Sequence, residues 1–452
     1  MTAYSRFIAN LTILTLGVLV FAAVTPARAV EIQRVVSPGG VEAWLVEDRT
    51  LPIIALRFSM TGGTATDPWG KEGLANMASA LLDEGAGDLD SQTFRRRLED
   101  NSISLSFSAS RDTFSGSLRS LTRNRDEAFD LFHLAMTEPR FDDEAVERIR
   151  AQILTGIAGR KNNPRSIANR TFWSANFPKH PYGRRSGGTV ESVNALTQTD
   201  LKAFVSRRIA RGDMVIGVAG DIGAAELAPL LDSTFGDLPE RAEAFSIGPG
   251  EPAALGEVFV VEQDVPQSTI VFGHRGLPRD DPDYYAAYIL NHVLGGGGFT
   301  SRLYEEIREK RGLAYSVSSY LQPLDHAALW LGGAATENSA VGQSLDVIRA
   351  EWARLRDTPI TQERLDAARD NITGSFALRF NNTGAIAGML VAVQRQDLGI
   401  EYIDERSKFF EAVTIDDVNR IAKKLLDPDA LTIVVVGKPE GVKPTKQPDE
   451  AG

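Results

Sequence analysis

No cysteine occurs anywhere in the 452 residues. That excludes disulfides, thiolate metal sites, a thiol nucleophile and lipid attachment through an N-terminal Cys, so stability rests on packing. Histidine is nearly as scarce. His133, His180, His274, His292 and His326 are the whole set. No two of them stand at helical ligand spacing, and neither H-E-x-x-H nor H-x-x-E-H can be written anywhere. The G-x-S-x-G elbow, the P-loop and the dinucleotide fingerprint are also missing. Basic excess is missing too: 60 acidic residues outnumber 49 Lys and Arg, for a formal net charge of -11. That balance argues against nucleic acid as a partner and favours basic ligands.

Long apolar runs are absent except at the N-terminus. There Arg6 supplies a positive flank, "LTILTLGVLVFAAV" (11–24) an apolar core, and "ARA" (27–29) an A-x-A-like cleavage site. These three parts predict an export signal over residues 1–29. With no cysteine in the exported chain, a periplasmic location is expected, with no membrane segment after cleavage.

What the chain does have is a repeat. "ALTQTDLKAFVSRRIARGDMVIGVAGD" from Ala195 aligns without a gap on "AVTIDDVNRIAKKLLDPDALTIVVVGK" from Ala412, at an offset of 217. Thr197 and Thr414 read as helix N-caps, with Asp200 and Asp417 completing capping boxes. The apolar runs ending at Gly220 and Gly437 read as buried strands. The starts of the halves correspond as well. "VEAWLVED" and "GEVFVVEQ" are opening strands, "IIALRFSM" and "STIVFGHR" second strands, and an Asp-Pro turn and a helix follow each. The expected fold is α+β: two homologous repeats, each an antiparallel-type sheet packed with several helices. The divisions are 30–245 for the first repeat, 246–255 for a linker, 256–438 for the second repeat and 439–452 for a frayed tail. Duplication places a cleft between the halves, where substrates usually sit.

One stretch is dense in candidate chemistry, "LGGGGFTSRLYEEIREKRGLAYSVSSYL" (294–321). Gly295, Gly296, Gly297 and Gly298 cost backbone entropy. Either another chain approaches the backbone there, or the run is a long turn. A helix is expected from about Ser301 to a C-terminal glycine at Gly312. A strand follows with Tyr315, Val317, Ser319 and Leu321 on one face. Folding back at Gly312 brings Arg308 and Tyr315 toward one point, where a guanidinium and a phenol would offer donors to a peptide carbonyl and its oxyanion. The competing reading is that Arg308, Lys310 and Arg311 merely complement the helix dipole. His292, among apolar residues on "YYAAYILNHVLGG", reads as a packed histidine.

These residues resemble the pitrilysin/insulinase-type zinc metallopeptidases, in particular the short bacterial members that pair two subunits in the manner of mitochondrial processing peptidase. The markers are "GGTATDPWGKEGLANMASALLDEGAG", "HPYGRRSGGTVESVNALTQTDLKAF", "VAGDI" and "LGGGGFTSRLYEEIREKRGLAYSV". The resemblance implies two His and a distal Glu on zinc, with a second Glu activating water. Those positions fall on Asn76, Ser79, Ala80 and, for the distal Glu, about Gly156, so every zinc-site group is replaced and no metal is expected on this chain. It also implies that Arg308 and Tyr315 hold substrate and stabilise the oxyanion, and that Gly295–Gly298 form a substrate-binding loop. The implied function is the substrate-binding, transition-state-stabilising half of a heterodimeric zinc endopeptidase. Zinc, carried by H-x-x-E-H, would sit on a homologous partner, and the pair would close like a clamshell on a peptide. The alternative is a non-catalytic scaffold or peptide-binding homologue.

Overall fold

The two runs "VIGVAG" and "TIVVVG" carry no charge and, Thr432 apart, no polar side chain, which demands cover on both faces of the strand. A computed structural model describes residues 31–448 and shows how each run obtains that cover. The expected signal at 1–29 lies outside the described residues.

The first half forms a six-stranded sheet. Its strands are β1 (Gln33–Val36), β2 (Glu42–Glu47), β3 (Ile53–Thr61), β4 (Ser104–Ala109), β5 (Thr113–Leu121) and β6 (Val215–Gly220), in the order β1-β2-β6-β3-β5-β4. The second half forms a five-stranded sheet from β7 (Val258–Glu262), β8 (Gln267–Arg275), β9 (Ala314–Pro323), β10 (Ala328–Glu337) and β11 (Thr432–Gly437), in the order β7-β11-β8-β10-β9. The orders match strand for strand once β1 is set aside. In both, one parallel pair (β2–β6, β7–β11) sits in an otherwise antiparallel sheet. The duplicated α+β architecture is therefore present, and β6 and β11 keep the 217-residue offset.

Both predicted capping boxes form. Thr197 Oγ1 accepts from Asp200 N (3.2 Å) while Asp200 accepts from Thr197 N (2.8 Å), and Thr414 and Asp417 repeat the exchange at 3.2 and 2.9 Å. The repeated glycines at the strand ends have a shared cause. Gly220 and Gly437 have φ of 131° and 154°, and a Cβ would strike Ile53 O and Ser268 Oγ respectively.

One face of each sheet packs on helices of its own half. The other face is covered by a helix from the opposite half. Helix Pro164–Asn176 lays Ile167, Ala168 and Phe172 on β8 and β11. Helix Thr383–Arg395 lays Ile386, Ala387 and Leu390 on β3 and β6. Gly217 lets the second helix descend onto the sheet, since a Cβ there would meet Ala387 O.

This exchange corrects the expected cleft in part: much of the seam is taken by the traded helices and tied by Tyr182, whose hydroxyl donates to Asp112 (2.5 Å) and accepts from His326 N (3.0 Å). A cavity of about 610 Å³ remains at its flank, lined by Arg111, Asp112, Asp325 and His326 among others, but neither Arg308 nor Tyr315 borders it. The tail expectation is also corrected for residues 439–448. Glu440 N donates to Asn338 O (2.8 Å), and Thr445 N donates to Val258 O (2.9 Å) along β7. The linker 246–255 is packed as well, with Ala254 in the core and Ala253 N donating to Asn176 O (2.9 Å).

Candidate functional site

The element carrying Arg308 is not an ordinary α-helix. After Ser301, whose hydroxyl donates to Gly298 O (2.7 Å), the chain widens into a π-helical turn over Tyr304–Glu309, with Lys310 N donating five residues back to Glu305 O (3.0 Å). Wide turns of this kind recur at functional sites. The turn ends as predicted at Gly312, which has φ of 61°. Gly312 N donates to Arg308 O (3.0 Å) and Leu313 N to Ile307 O (2.9 Å), a nested pair one residue wider than a Schellman cap, as the widened turn requires.

Charges hold this turn in place. Buried Glu306 accepts from Lys310 Nζ (2.7 Å) and Arg311 Nη1 (2.6 Å), which together bring its pKa down to about 2. Buried Arg302 donates to buried Glu351 (2.5 Å). Glu305 is taken by Lys310 (2.7 Å) and Arg364 (3.1 Å). So Lys310 and Arg311 do more than answer the helix dipole: they occupy the neighbouring carboxylates. Arg308 has no ion pair or side-chain hydrogen bond among the described residues. Its guanidinium lies instead between two phenol rings, 4.8 Å from the centroid of Tyr304 and 4.7 Å from that of Tyr315.

Tyr315 reaches Arg308 because β9 is bulged. Ala335 of β10 pairs with Ser316 and Thr336 pairs with Ala314, so Tyr315 is the extra residue. This corrects the expectation that Tyr315 shares a face with Val317, Ser319 and Leu321. Val317 and Ser319 point into the core, whereas Tyr315 is 78% exposed. The structure thus brings the two predicted residues together by a device that strand periodicity does not encode. The sequence reading missed Tyr304 and Phe299, the latter 73% exposed and edge-on to Tyr304 at 4.9 Å. The four-residue spacing of Tyr304 and Arg308 is the signal that would have found the first of them.

The glycine run divides in two. A Cβ on Gly295 would sit 2.5 Å from Ser319 Oγ and 2.7 Å from Ser319 N. One on Gly296 would sit 2.5 Å from Asn291 Nδ2. These two glycines let the chain pack against β9 and the preceding helix, where Ser319 donates to Asn291 (2.8 Å). Gly297 lies against His292, and Gly298, with φ of 58°, faces open space. His292 is half-buried, its Nε2 is enclosed without a hydrogen-bond partner, and burial lowers its pKa.

In the first half, the helix Leu74–Ser79 is short and buried. Asp67 holds its start by accepting from Gly73 N (2.9 Å) and Ala75 N (3.0 Å), and burial raises the Asp67 pKa to about 7. Ser79 Oγ is spent on Asn76 O (2.8 Å), Ala80 offers no donor atom, and Gly156 lies on helix Asp143–Lys161 with only Arg160 beside it. Among the described residues no group of three or more His, Asp or Glu is placed to hold a metal ion. A carboxamide, a hydroxyl already engaged, a methyl and a glycine do not make a zinc site.

Residues 45–190 match the family described as Insulinase (Peptidase family M16), and residues 195–372 match Peptidase M16 inactive domain. An uncharacterized zinc protease of Mycobacterium leprae is 30% identical over 308 residues, 66% of this chain and 68% of the relative. The chain belongs to peptidase family M16. Another relative, the non-peptidase homolog YmxG of Helicobacter pylori, is 27% identical over 74% of this chain and 77% of its own length. The chain therefore spans about two thirds to three quarters of these curated relatives. A crystal structure described as a peptidase M16 inactive domain from Pseudomonas fluorescens superposes with a TM-score of 0.84 at 28% identity, covering 92% of this chain and all of the other. Within this M16 chain Asn76, Ser79, Ala80 and Gly156 offer no set of zinc-binding side chains, and Arg308 lies against Tyr315.

Proposed function

We propose that this M16 chain is the non-zinc subunit of a heterodimeric zinc endopeptidase acting on peptides in the periplasm. A homologous partner supplies zinc, water and base. Arg308 and Tyr315 supply donors to the peptide carbonyl and its oxyanion. The observation that carries this reading is the state of Arg308. Glu305 and Glu306 beside it are neutralised by other cations, a π-helical turn and a β-bulge aim it at an exposed phenol, and its donors are left uncommitted. A purely structural arginine would be expected to have been given one of those carboxylates.

The second reading is a non-catalytic scaffold or peptide-binding homologue, which the name of the relative YmxG favours. One experiment separates them. The chain is purified alone and co-expressed with an M16 protein bearing H-x-x-E-H, and a quenched fluorogenic peptide is assayed. The proposal expects no cleavage by the chain alone and a 1:1 complex with new activity. Within that complex, Arg308→Ala and Tyr315→Phe should each lower kcat by on the order of 10²-fold, as loss of an oxyanion donor does. Wild-type rates in both variants would favour the scaffold.

A further inference from the structure

A second cationic site lies in the first half, on the sheet face that the traded helix covers only in part. Beside the start of helix Thr383–Arg395, a groove of about 570 Å³ opens between that helix and β3, β5 and the first residue of β4. Arg57 of β3 and Arg119 of β5 line it. Arg57 pairs across the ladder with Ser117, and Arg119 stands opposite Ala55. The two arginines are thus diagonal neighbours on one face, with Cα atoms roughly 7–8 Å apart. Neither has an ion pair or a side-chain hydrogen bond among the described residues. The acid of the groove, Asp48, is committed to its own turn: it accepts from Thr50 N (2.9 Å) and from the Thr50 hydroxyl. At the helix start Asn382 Oδ1 accepts from Ala385 N (2.9 Å). The cationic side chains of the groove are these two guanidiniums, and Asp48 is its one carboxylate. Ser104 and Ser117 are the hydroxyls near them.

Two like charges held side by side with no ion pair of their own repel each other, and a carboxylate between them removes that repulsion. The rest of the lining points to what carries the carboxylate. Leu51, Ile53, Phe380 and Ile386 add apolar surface to the lining that an inorganic anion would not use, and the volume accommodates several residues of chain. We infer that this groove binds an extended peptide through a glutamate or aspartate side chain placed between Arg57 and Arg119, with an adjoining apolar side chain against Ile53 and Phe380. This local preference is opposite in sign to the one that the net charge of -11 favours. It is also independent of the Arg308–Tyr315 site, since it requires neither a partner nor catalysis.

The test is fluorescence anisotropy on the purified chain. The ligand is a fluorescein-labelled, C-terminally amidated hexapeptide alternating glutamate and valine, and its control carries glutamine in place of glutamate. Saturable binding of the glutamate peptide is expected, at least ten-fold tighter than that of the glutamine peptide. The Arg57→Gln/Arg119→Gln double variant should lose at least ten-fold in affinity. Both positions are exposed, so the variant should keep the wild-type circular dichroism and melting temperature. Arg96→Gln, at an exposed arginine on the separate helix Ser91–Asp100, should bind as wild type. Equal affinity for the two peptides, or full affinity in the double variant, or the same loss in Arg96→Gln, would overturn the assignment.

Discussion

Gly295 and Gly298 look alike in the sequence and do different work. The sequence shows a costly run of glycines and leaves open whether a foreign chain or a mere turn uses it. The structure shows that part of the run is used by the protein's own β9. Gly295→Ala should therefore destabilise by about 1–3 kcal/mol in urea unfolding, the range for overpacking a tight contact. Gly298→Asn should cost less than about 1 kcal/mol, because asparagine tolerates the left-handed conformation and nothing lies within 4 Å of the new Cβ. Similar losses from both would place the packing constraint elsewhere. His274 gives a second residue-scale outcome. Its Nε2 accepts from Trp352 Nε1 (2.9 Å), which leaves the proton on Nδ1 to donate to Arg275 O (2.6 Å). Burial lowers its pKa to about 4. Between there and the ordinary value near 6.5, the unfolded chain binds a proton that the folded chain refuses. The His274 contribution is therefore complete above that ordinary value and is lost as pH falls toward 4, by on the order of 3 kcal/mol in all. Urea midpoints measured across this window should fall with pH in the wild type, and fall less steeply in His274→Gln.

At the scale of elements, the regular parts are written in the sequence and the irregular ones are hidden from it. Thr197 and Asp200, like Thr414 and Asp417, carry their capping chemistry in the residues themselves, so the local sequence alone places the starts of both helices. The convergence of Arg308 and Tyr315 is legible as a fold-back at Gly312. Its means are not. A two-residue period puts Tyr315 beside Val317, and only the register against β10 reveals the bulge that turns it outward. The π-helical turn is equally silent, because it is held by long-range charge: Arg302 reaches Glu351, 49 residues away. Glu351→Gln leaves the Arg302 charge buried with weaker compensation and should cost about 3 kcal/mol or more. It should also disturb the tyrosine sandwich around Arg308, which a change in Tyr304 and Tyr315 ring signals by NMR would register. Unchanged stability would mean that the turn is held by backbone packing alone.

For the molecule as a whole, the internal repeat reveals the number of units and not their relation. Nothing local says that helix Pro164–Asn176 belongs to the far sheet, since its apolar face is compatible with either. Traded helices predict a single cooperative unit, because neither half can unfold without uncovering the other's sheet. Calorimetry should show one endotherm with a van't Hoff enthalpy matching the calorimetric one. Gly217→Val, which drives a side chain into Ala387 O, should lower its midpoint without splitting it. Two separable transitions would refute the interlock. On the proposed reading, Asn76, Ser79 and Ala80 stand at former zinc-site positions without loss of the fold because they sit in a half whose integrity rests on apolar packing, with Met77, Ala78 and Leu81 wholly enclosed.

The crossed helices also bear on ancestry. Two chains of half this length, each lending a helix to its mate, would form a symmetric swapped pair with two equivalent grooves. Joining such mates end to end removes the obligation that both copies stay the same. One copy is then free to elaborate a bulge and a widened turn that its mate lacks: β9 is bulged against β10, whereas its counterpart β4 pairs with β5 in unbroken register.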